Sequence, residues 1–479
     1  MGENLLTKFL NLMSKNISES DLELIKLGKA LGLDLISFAA LRASQDDNFV
    51  DQVREEALER MLKEGDNYLQ NNDFFYVGSI DFMVSSEPDG NKFFLLETNG
   101  GSHRGISILS EKQQNLLYNG YLGAIYKAFS NNKREDGKIL ILVGVPENDN
   151  LIHEKVLMID YFRRKLKAEG HTVKIFNIDN FDAEFKAEFI FLIADYNQIS
   201  DSISYSHNWV EFSGEKINLL IGDGIARRLS SKKFITVLKE DFRKLNTIIV
   251  NPIFIITDDK SLTYLSSHLN KKELEKYKLK YLLFTKAYFE RDFINKVETF
   301  KNGFNKSLIL KPVGGSGGAG VMQISRNDDN SNIRRILEES KKEFYNKFKD
   351  ARNPFPYTLQ EKAEFSLIDW NGEKHTFDIR IYLAQKDNRI IPIGGLARIS
   401  RTNFINGSNK EEFVVNLSGY NGKIEVERGI GFSKSSCKIL NLTFEDFVNM
   451  FCLGCTLFKS IVQNYKRIVN YSNWNKVLE

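Results

Sequence analysis

The chain has 479 residues, so two to four domains are expected at ~100–200 residues each. Hydrophobic residues make up 42% and charged residues 27%, which excludes collagen-like, disordered and coiled-coil classes. Lys plus Arg total 66 against 63 Asp plus Glu, and a net charge of +3 argues for neither a nucleic-acid nor a membrane-surface partner.

Three cysteines, Cys437, Cys452 and Cys455, cannot build a disulfide framework, so a reducing compartment is expected. The N-terminal MGENLLTKFLNLMSKN lacks a basic segment followed by an apolar one, and Leu6 stands where a myristoylation signal wants Ser or Thr. The longest apolar runs, such as 248–256, fall far short of the ~20 residues that span a bilayer. A soluble, cytoplasmic protein is the expectation.

Residues 1–72 read as helical, with Val53, Ala57, Leu58, Met61 and Leu62 at helical spacing over 51–70. Residues 73–99 switch to period two around SSEPDG, which predicts a β-hairpin. A helix is expected over 106–130. KILILVGV (138–145), the amphipathic 154–170 closed by Gly170, then HTVKIFNI and EFIFLIAD read as strand, helix, strand, strand, hence a βαβ unit and a parallel sheet. From about 245 the expected elements are a long charged helical stretch (261–302), a strand–glycine loop–strand unit (307–325) and a helix (331–350). Strands follow near 355–362, 376–384, 390–400 and 412–427, then a helical C-terminus. CLGC (452–455) lies in an apolar helix and reads as core packing. The six histidines show no zinc spacing.

SLILKPVGGSGGAGVMQIS crowds Gly314, Gly315, Gly317, Gly318 and Gly320 into one loop between strand-like runs. Glycines let backbone N–H groups turn inward around a phosphate, and Lys311 just upstream adds a point charge. GSGGAG matches GxGxxG as a string, but a strand follows where a dinucleotide fingerprint opens a helix. No Lys-Ser/Thr pair follows either, and the kinase HRD and DFG strings are absent.

In VGSIDFMVSSEPDGNKFFLLETNGG, Glu97 and Asn99 share one strand face. Asp81 and Glu97 are equally far from Asp89, so a symmetric hairpin sets them opposite each other. Like charges so placed destabilise a sheet, and a divalent cation between them reverses the sign. Asp, Glu and an Asn carbonyl are hard oxygen donors suited to Mg²⁺. His103, in SHRG directly after this element, is expected to reach substrate.

EKHTFDIRIYLA (373–384) alternates Phe377, Ile379, Ile381 and Leu383 with Asp378, Arg380 and Tyr382, and IIPIGGLARISR (390–401) brings Arg398. Two arginines beside a triphosphate would stabilise an acyl-phosphate and its tetrahedral successor. YTLQEKAEF (357–365) offers backbone to adenine and Glu361 or Glu364 to a ribose hydroxyl. Lys260 stands at a helix start after Asp258 and Asp259.

Together these pieces resemble the ATP-grasp superfamily. Asp81 and Glu97-x-Asn99 precede the lysine and glycine loop, an order that resembles the circularly permuted group including the synthetase part of glutathionylspermidine synthase. The middle βαβ unit is similar to the pre-ATP-grasp domain of carboxylate–amine and peptide ligases. The resemblance implies an α/β (α+β) ATP-grasp fold. Its parts would be 1–135 (N-terminal helices plus the metal-ligand hairpin), 136–244 (a Rossmann-like pre-ATP-grasp βαβ domain) and 245–479 (the nucleotide-binding domain).

It also implies roles. Lys260 and Lys311 would hold ATP phosphates, with Gly314, Gly315, Ser316, Gly317, Gly318 and Gly320 covering them. Gln360, Glu361 and Glu364 would line the adenosine site. Asp81, Glu97 and Asn99 would hold Mg²⁺, two ions being expected. Arg398 and Arg380 would be catalytic, and Ser102, His103 and Arg104 would meet substrate. Ser79 stands where some relatives carry an Arg before the metal Asp, a role Arg104 or Arg380 would fill. A competing metal assignment uses Asp378 and Asn416, although no Glu stands two before Asn416.

The implied activity is an ATP-dependent carboxylate–amine ligase that forms an amide through an acyl-phosphate and releases ADP and phosphate. Small-molecule or peptide carboxylates and amines would be its substrates, with no nucleic acid and no membrane. The oligomeric state stays open, a homodimer included. The alternatives are a carboxylate–thiol ligase loading a carrier protein, and a nucleotide-binding protein without turnover.

Overall fold

The computed structural model describes residues 36–470 apart from 66, 101–104, 147–150, 178–185, 227, 230, 316, 349–352, 408 and 418–424. Ser102, His103, Arg104 and Ser316, and the first half of the expected N-terminal helical region, therefore lie outside the described residues. The protein is a mixed α/β molecule of the α+β kind, built on three sheets and a small fourth.

Helix α1 covers Ile36–Ala43 and α2 covers Asp47–Glu64. The Asp46 side chain accepts from Phe49 N at the start of α2, and Gly65 at φ 69° ends it. Its buried stripe, Phe49, Val50, Val53, Ala57 and Met61, meets a helix almost 400 residues later in sequence, as the 395 positions between Ala57 and Cys452 show.

Strands β1 (Val77–Glu87) and β2 (Gly90–Asn99) form the expected hairpin about Pro88–Asp89. The turn pairs Glu87 with Gly90, which alone would set Asp81 opposite Leu96; a one-residue bulge at Leu96 shifts the register and brings Asp81 opposite Glu97. Helix α3 (Glu111–Ser130) follows.

Next comes a parallel sheet. Its strands are β3 (Ile139–Val145), β4 (Val173–Asn177), β5 (Phe189–Asp195), β9 (Leu219–Ile221) and β10 (Ile248–Val250), in the order β10-β9-β3-β5-β4. The unbroken apolar runs of β3 and β5 suit a sheet covered on both faces. Helix α4 (Ile152–Ala168) packs on one of them. Between β5 and β9 a three-stranded meander, β6 (Ile203–Ser206), β7 (Trp209–Phe212) and β8 (Glu215–Ile217), is inserted.

The charged stretch 261–302 is not one helix. Helix α5 (Lys260–Leu269) ends early, short β11 (Leu279–Lys280) and β12 (Phe284–Ala287) intervene, and α6 (Glu290–Phe304) follows. The apolar run YLLFTKAYF supplies β12, whose partner is a strand about 75 residues further on, beyond the reach of local periodicity.

The unit β13 (Leu308–Pro312), glycine loop, β14 (Met322–Ile324) and helix α7 (Asn330–Phe348) appear as expected. With β15 (Tyr357–Glu361) they complete the antiparallel sheet β12-β15-β13-β14, which packs its own core against α6 and α7.

Strands β16 (Leu367–Trp370), β17 (Glu373–Lys386), β18 (Arg389–Ile399) and β19 (Gly429–Gly431) join the N-terminal hairpin in one sheet, β11-β2-β1-β17-β18-β19, with β16 beside β17.

The strand expected near 412–427 is absent among the described residues. Glu412 accepts backbone N–H bonds from Ile405, Asn406 and Gly407 (2.9, 3.1 and 2.7 Å), which folds that segment into a compact loop. Helix α8 (Phe444–Gln463) is buried along nearly its whole length, Cys452 and Cys455 included, as core. Among the described residues no helix is long and apolar enough to cross a membrane.

Candidate active site

A cavity of about 550 Å³ lies between the four-stranded sheet and the large sheet, within the ~300–1,000 Å³ range of small-molecule sites. Its floor is written in the register of β2, β1, β17 and β18. One row across the strands is Asn99, Ser79 and Tyr382. The next is Glu97, Asp81, Arg380 and Leu396. The third brings Asp378 and Arg398. Met83, two residues beyond Asp81 on the same face of β1, continues the floor toward the β15 end, so successive rows stand ~7 Å apart. The period-two alternation seen in the sequence of β17 is what aims Asp378, Arg380 and Tyr382 into one cleft.

The charged rows form a buried quartet. Arg380 donates to both Asp81 oxygens (Nε 2.7 Å, Nη2 2.6 Å). Arg398 donates to Asp378 (Nε 2.7 Å, Nη2 2.5 Å) and also to Asp81 Oδ2 at 2.8 Å. Burial opposes ionisation of Asp81, yet the two guanidiniums outweigh it and hold its carboxyl below the usual range. Burial dominates at Asp378, whose pKa is raised in spite of Arg398. Glu97 is half-exposed, 3.6 Å from Arg380 and 3.3 Å from Lys260.

The opposite wall carries the lysines and glycines. Lys311, on β13, donates to Gln360 Oε1 at 2.6 Å and to the Tyr264 hydroxyl at 2.8 Å. Tyr264 in turn donates to Leu96 O at 2.6 Å, linking this wall to the bulge of the hairpin. Burial and the neighbouring Lys260 bring the Lys311 ammonium down to about 7, with Glu97 opposing. Lys260, the first residue of α5, donates to Gly315 O at 3.2 Å and so ties the loop to the floor. Gly318 has φ 72°, and a Cβ there would stand 2.7 Å from Val414 Cγ1, so the loop rests against the 409–417 segment with room for backbone alone.

The cavity thus gathers Lys260, Lys311, Gly314, Gly315, Gly317, Gly318, Gln360, Glu361, Asp81, Glu97, Asn99, Arg380 and Arg398 from among the residues singled out in the sequence. Gly320 does not border it; its carbonyl accepts from Ser340 Oγ on α7. Glu364 does not border it either, and is exposed. Glu361 borders it, but its carboxylate is used by Lys306 and by Leu283 N at 3.2 Å, which leaves a ribose role unsupported. Asp378 and Asn416, the competing metal pair, are in the same cavity. Tyr264 was missed, although it stands four residues after Lys260 on a helix and so shares its face. Thr257 borders the cavity without having been singled out, and Tyr382, read only as part of the polar face of 373–384, borders it too.

The donor set beside the cavity fits a hard divalent cation. Glu97 and Asn99 face it together and offer carboxylate and amide oxygens, while the buried Asn99 side-chain nitrogen, which has no hydrogen-bond partner, is a donor that suits an anionic oxygen rather than the cation. Asp81 fits less simply, since both of its oxygens already accept from guanidiniums.

No family model matches the sequence, and no curated protein matches it. Among solved structures, the chain is similar to a glutathione synthetase-like effector from Globodera pallida in its apo form, at 12% identity over 76% of this chain and 82% of that one, with a TM-score of 0.36. It is similar to D-alanyl-alanine synthetase A from Vibrio cholerae at 10% identity, over 67% of this chain and 99% of that one, TM-score 0.26. It is also similar to the biotin carboxylase domain of the Hydrogenobacter thermophilus 2-oxoglutarate carboxylase, at 12% identity over 66% and 69% of the two chains, TM-score 0.28.

Proposed function

We propose that the protein is an ATP-dependent ligase of the ATP-grasp type that joins a carboxylate to an amine. The observation that carries this is the convergence, in one cavity, of two lysines and a glycine loop on one wall with a carboxylate–arginine floor on the other. The base would lie at the Gln360–Phe365 end, beside Met83 and Leu96. Lys260, Lys311 and the loop N–H groups would hold the phosphates over the Glu97–Asp81–Arg380 row. Glu97 and Asn99, with Asp81, would hold Mg²⁺, which when bound neutralises phosphate charge.

A substrate carboxylate oxygen attacks the γ-phosphorus, and the bond from that phosphorus to the β–γ bridging oxygen breaks, releasing ADP. Arg380 lines the cavity and would pair with the charge of the acyl-phosphate. An amine nitrogen then attacks the acyl carbon. Phosphate leaves, the nitrogen gives up a proton, and an amide remains. Arg398 is 7% exposed and bonded to two aspartates, so its part is to hold Asp81 and Asp378 in place rather than to meet the phosphate. The test is release of ADP and phosphate from ATP, dependent on Mg²⁺ and on an added acid. Binding of ATP without any acid-dependent release would refute it.

A further inference from the structure

We infer that Tyr264 is the positioning residue of Lys311, holding its ammonium from behind so that one N–H bond is left for a nucleotide phosphate. The inference rests on the nucleotide-binding part of the reading above. It follows from how the donors of the ammonium and the single proton of the hydroxyl are used.

Lys311 is 8% exposed and borders the cavity from β13. An ammonium has three N–H donors and no acceptor. One goes to Gln360 Oε1 at 2.6 Å and one to the Tyr264 hydroxyl at 2.8 Å. The count leaves one donor, on a side chain that borders the cavity. A lysine stem is flexible, and two fixed acceptors settle where its head stands before any ligand arrives.

Tyr264 is 3% exposed and does not itself border the cavity, so it acts through Lys311 rather than on a ligand. Burial and the nearby Glu97 push its pKa above the ordinary phenol value, which keeps the proton on the hydroxyl. That proton has two acceptors in reach, Leu96 O at 2.6 Å and Gln360 Oε1 at 3.1 Å, and Leu96 is the nearer. Toward Lys311, which can only donate, the hydroxyl oxygen is the acceptor. Leu96 is the bulge residue of β2: Asp81 faces Glu97 and Phe82 faces Leu95, so Leu96 stands outside the pairing with β1. The bulge that brings Glu97 opposite Asp81 thus also supplies the carbonyl that orients Tyr264. The ring is fixed as well. It packs 5.5 Å from the Phe284 ring, and the Lys311 ammonium lies 5.3 Å from its centroid. A Phe at 264 keeps this ring and loses the hydroxyl alone.

The test measures ATP binding with Mg²⁺ by calorimetry on the full chain, for the wild type and for Tyr264→Phe, alone and combined with Lys311→Met. Tyr264→Phe alone is expected to weaken binding ~tenfold at pH 7. Added to Lys311→Met it should change affinity by less than ~twofold, because the hydroxyl acts only through the ammonium. The second readout is the pH profile. The charged groups that face the ammonium, Lys260 on α5 and Glu97 on β2, are unchanged in Tyr264→Phe. Losing an acceptor disfavours the charged form, so the fall of affinity with rising pH should begin lower than in the wild type. A merely structural Tyr264 would weaken binding equally in both backgrounds and leave that onset where it is. Either result overturns the inference, as does wild-type affinity in Tyr264→Phe, and each leaves the ligase reading standing. ATP binding without acid-dependent phosphate release would refute the ligase reading alone. No ATP binding by the wild-type chain would sink both.

Discussion

Lys311 carries a buried ammonium whose pKa is brought to about 7 by burial and by Lys260. Bound phosphates favour its charged form, so nucleotide binding raises that pKa and takes up a proton when the pH is above about 7. Below that the ammonium is already charged and no uptake occurs. ATP affinity is therefore expected to fall as pH rises from 7 to 9, and Lys311→Met should flatten the profile as well as weaken binding; calorimetry in two buffers reads both. The acids differ in what their loss does. Asp81→Asn leaves two buried guanidiniums short of an anion and should cost about 3–5 kcal/mol of stability. Glu97→Gln, half-exposed, should shift urea denaturation by less than ~1 kcal/mol yet remove Mg²⁺-dependent turnover. Equal stability losses in the two variants would contradict the division between a structural quartet and a metal-facing Glu97.

At the scale of elements, Asn251 joins the parallel sheet to the β1–β2 hairpin. It is fully buried just after β10, accepts from Tyr76 N at 2.6 Å, and donates to Val77 O at 2.5 Å and to Gly100 O. It therefore fixes the start of β1 and the end of β2, the strands that carry Asp81, Glu97 and Asn99. Asn251→Ala should cost ~1–3 kcal/mol for each backbone group left unsatisfied, with KM for Mg²⁺ rising before kcat falls; an unchanged Mg²⁺ dependence would count against this linkage. The sequence exposes elements unevenly. The glycine loop and Glu97-x-Asn99 are legible because each is a local string. The pairing of Asp81 with Glu97 was expected from a hairpin symmetric about Asp89, but the turn at Pro88–Asp89 achieves it only through the bulge at Leu96, which no local pattern marks. The strand at 284–287 and the loop folded around Glu412 escaped because their partners are distant in sequence or are backbone N–H groups, to which hydrophobic periodicity is blind. That Arg398 is bonded to Asp81 was not legible in the sequence, because Asp81 lies 317 positions away.

Across the whole molecule, the cleft draws its floor from both ends of the chain and its lysine wall from the middle, so the order of chemical zones is set by space rather than by sequence. Along β1 the floor runs from Met83, level with the Asp378–Arg398 row, through the Glu97–Asp81–Arg380 row to the neutral row of Asn99, Ser79 and Tyr382. On the proposed reading, a nucleotide lying in that direction would have its α-phosphate nearest Met83 and its γ-phosphate nearest Arg380 and Ser79. An acid entering from the Ser79–Tyr382 end would then meet the γ-phosphorus first, and reaching the α-phosphorus would require it to pass the lysines and the loop. Lys260 bonds to Gly315 O and lies 3.3 Å from Glu97, which places its charge over the Asp81–Arg380 row rather than toward the base. On the proposed reading, positive charge would thus gather where the terminal phosphate is transferred, which favours attack there. The nucleotide product is accordingly expected to be ADP with orthophosphate, not AMP with pyrophosphate. Gly318→Ala, which forces a Cβ toward Val414 and strains a backbone at φ 72°, should lower kcat while leaving the fold intact, because it lifts the loop from the phosphates without touching the core. Ion-exchange chromatography of the nucleotides after turnover decides the first point: AMP as the main product would overturn the placing of the terminal phosphate over the Glu97–Asp81–Arg380 row.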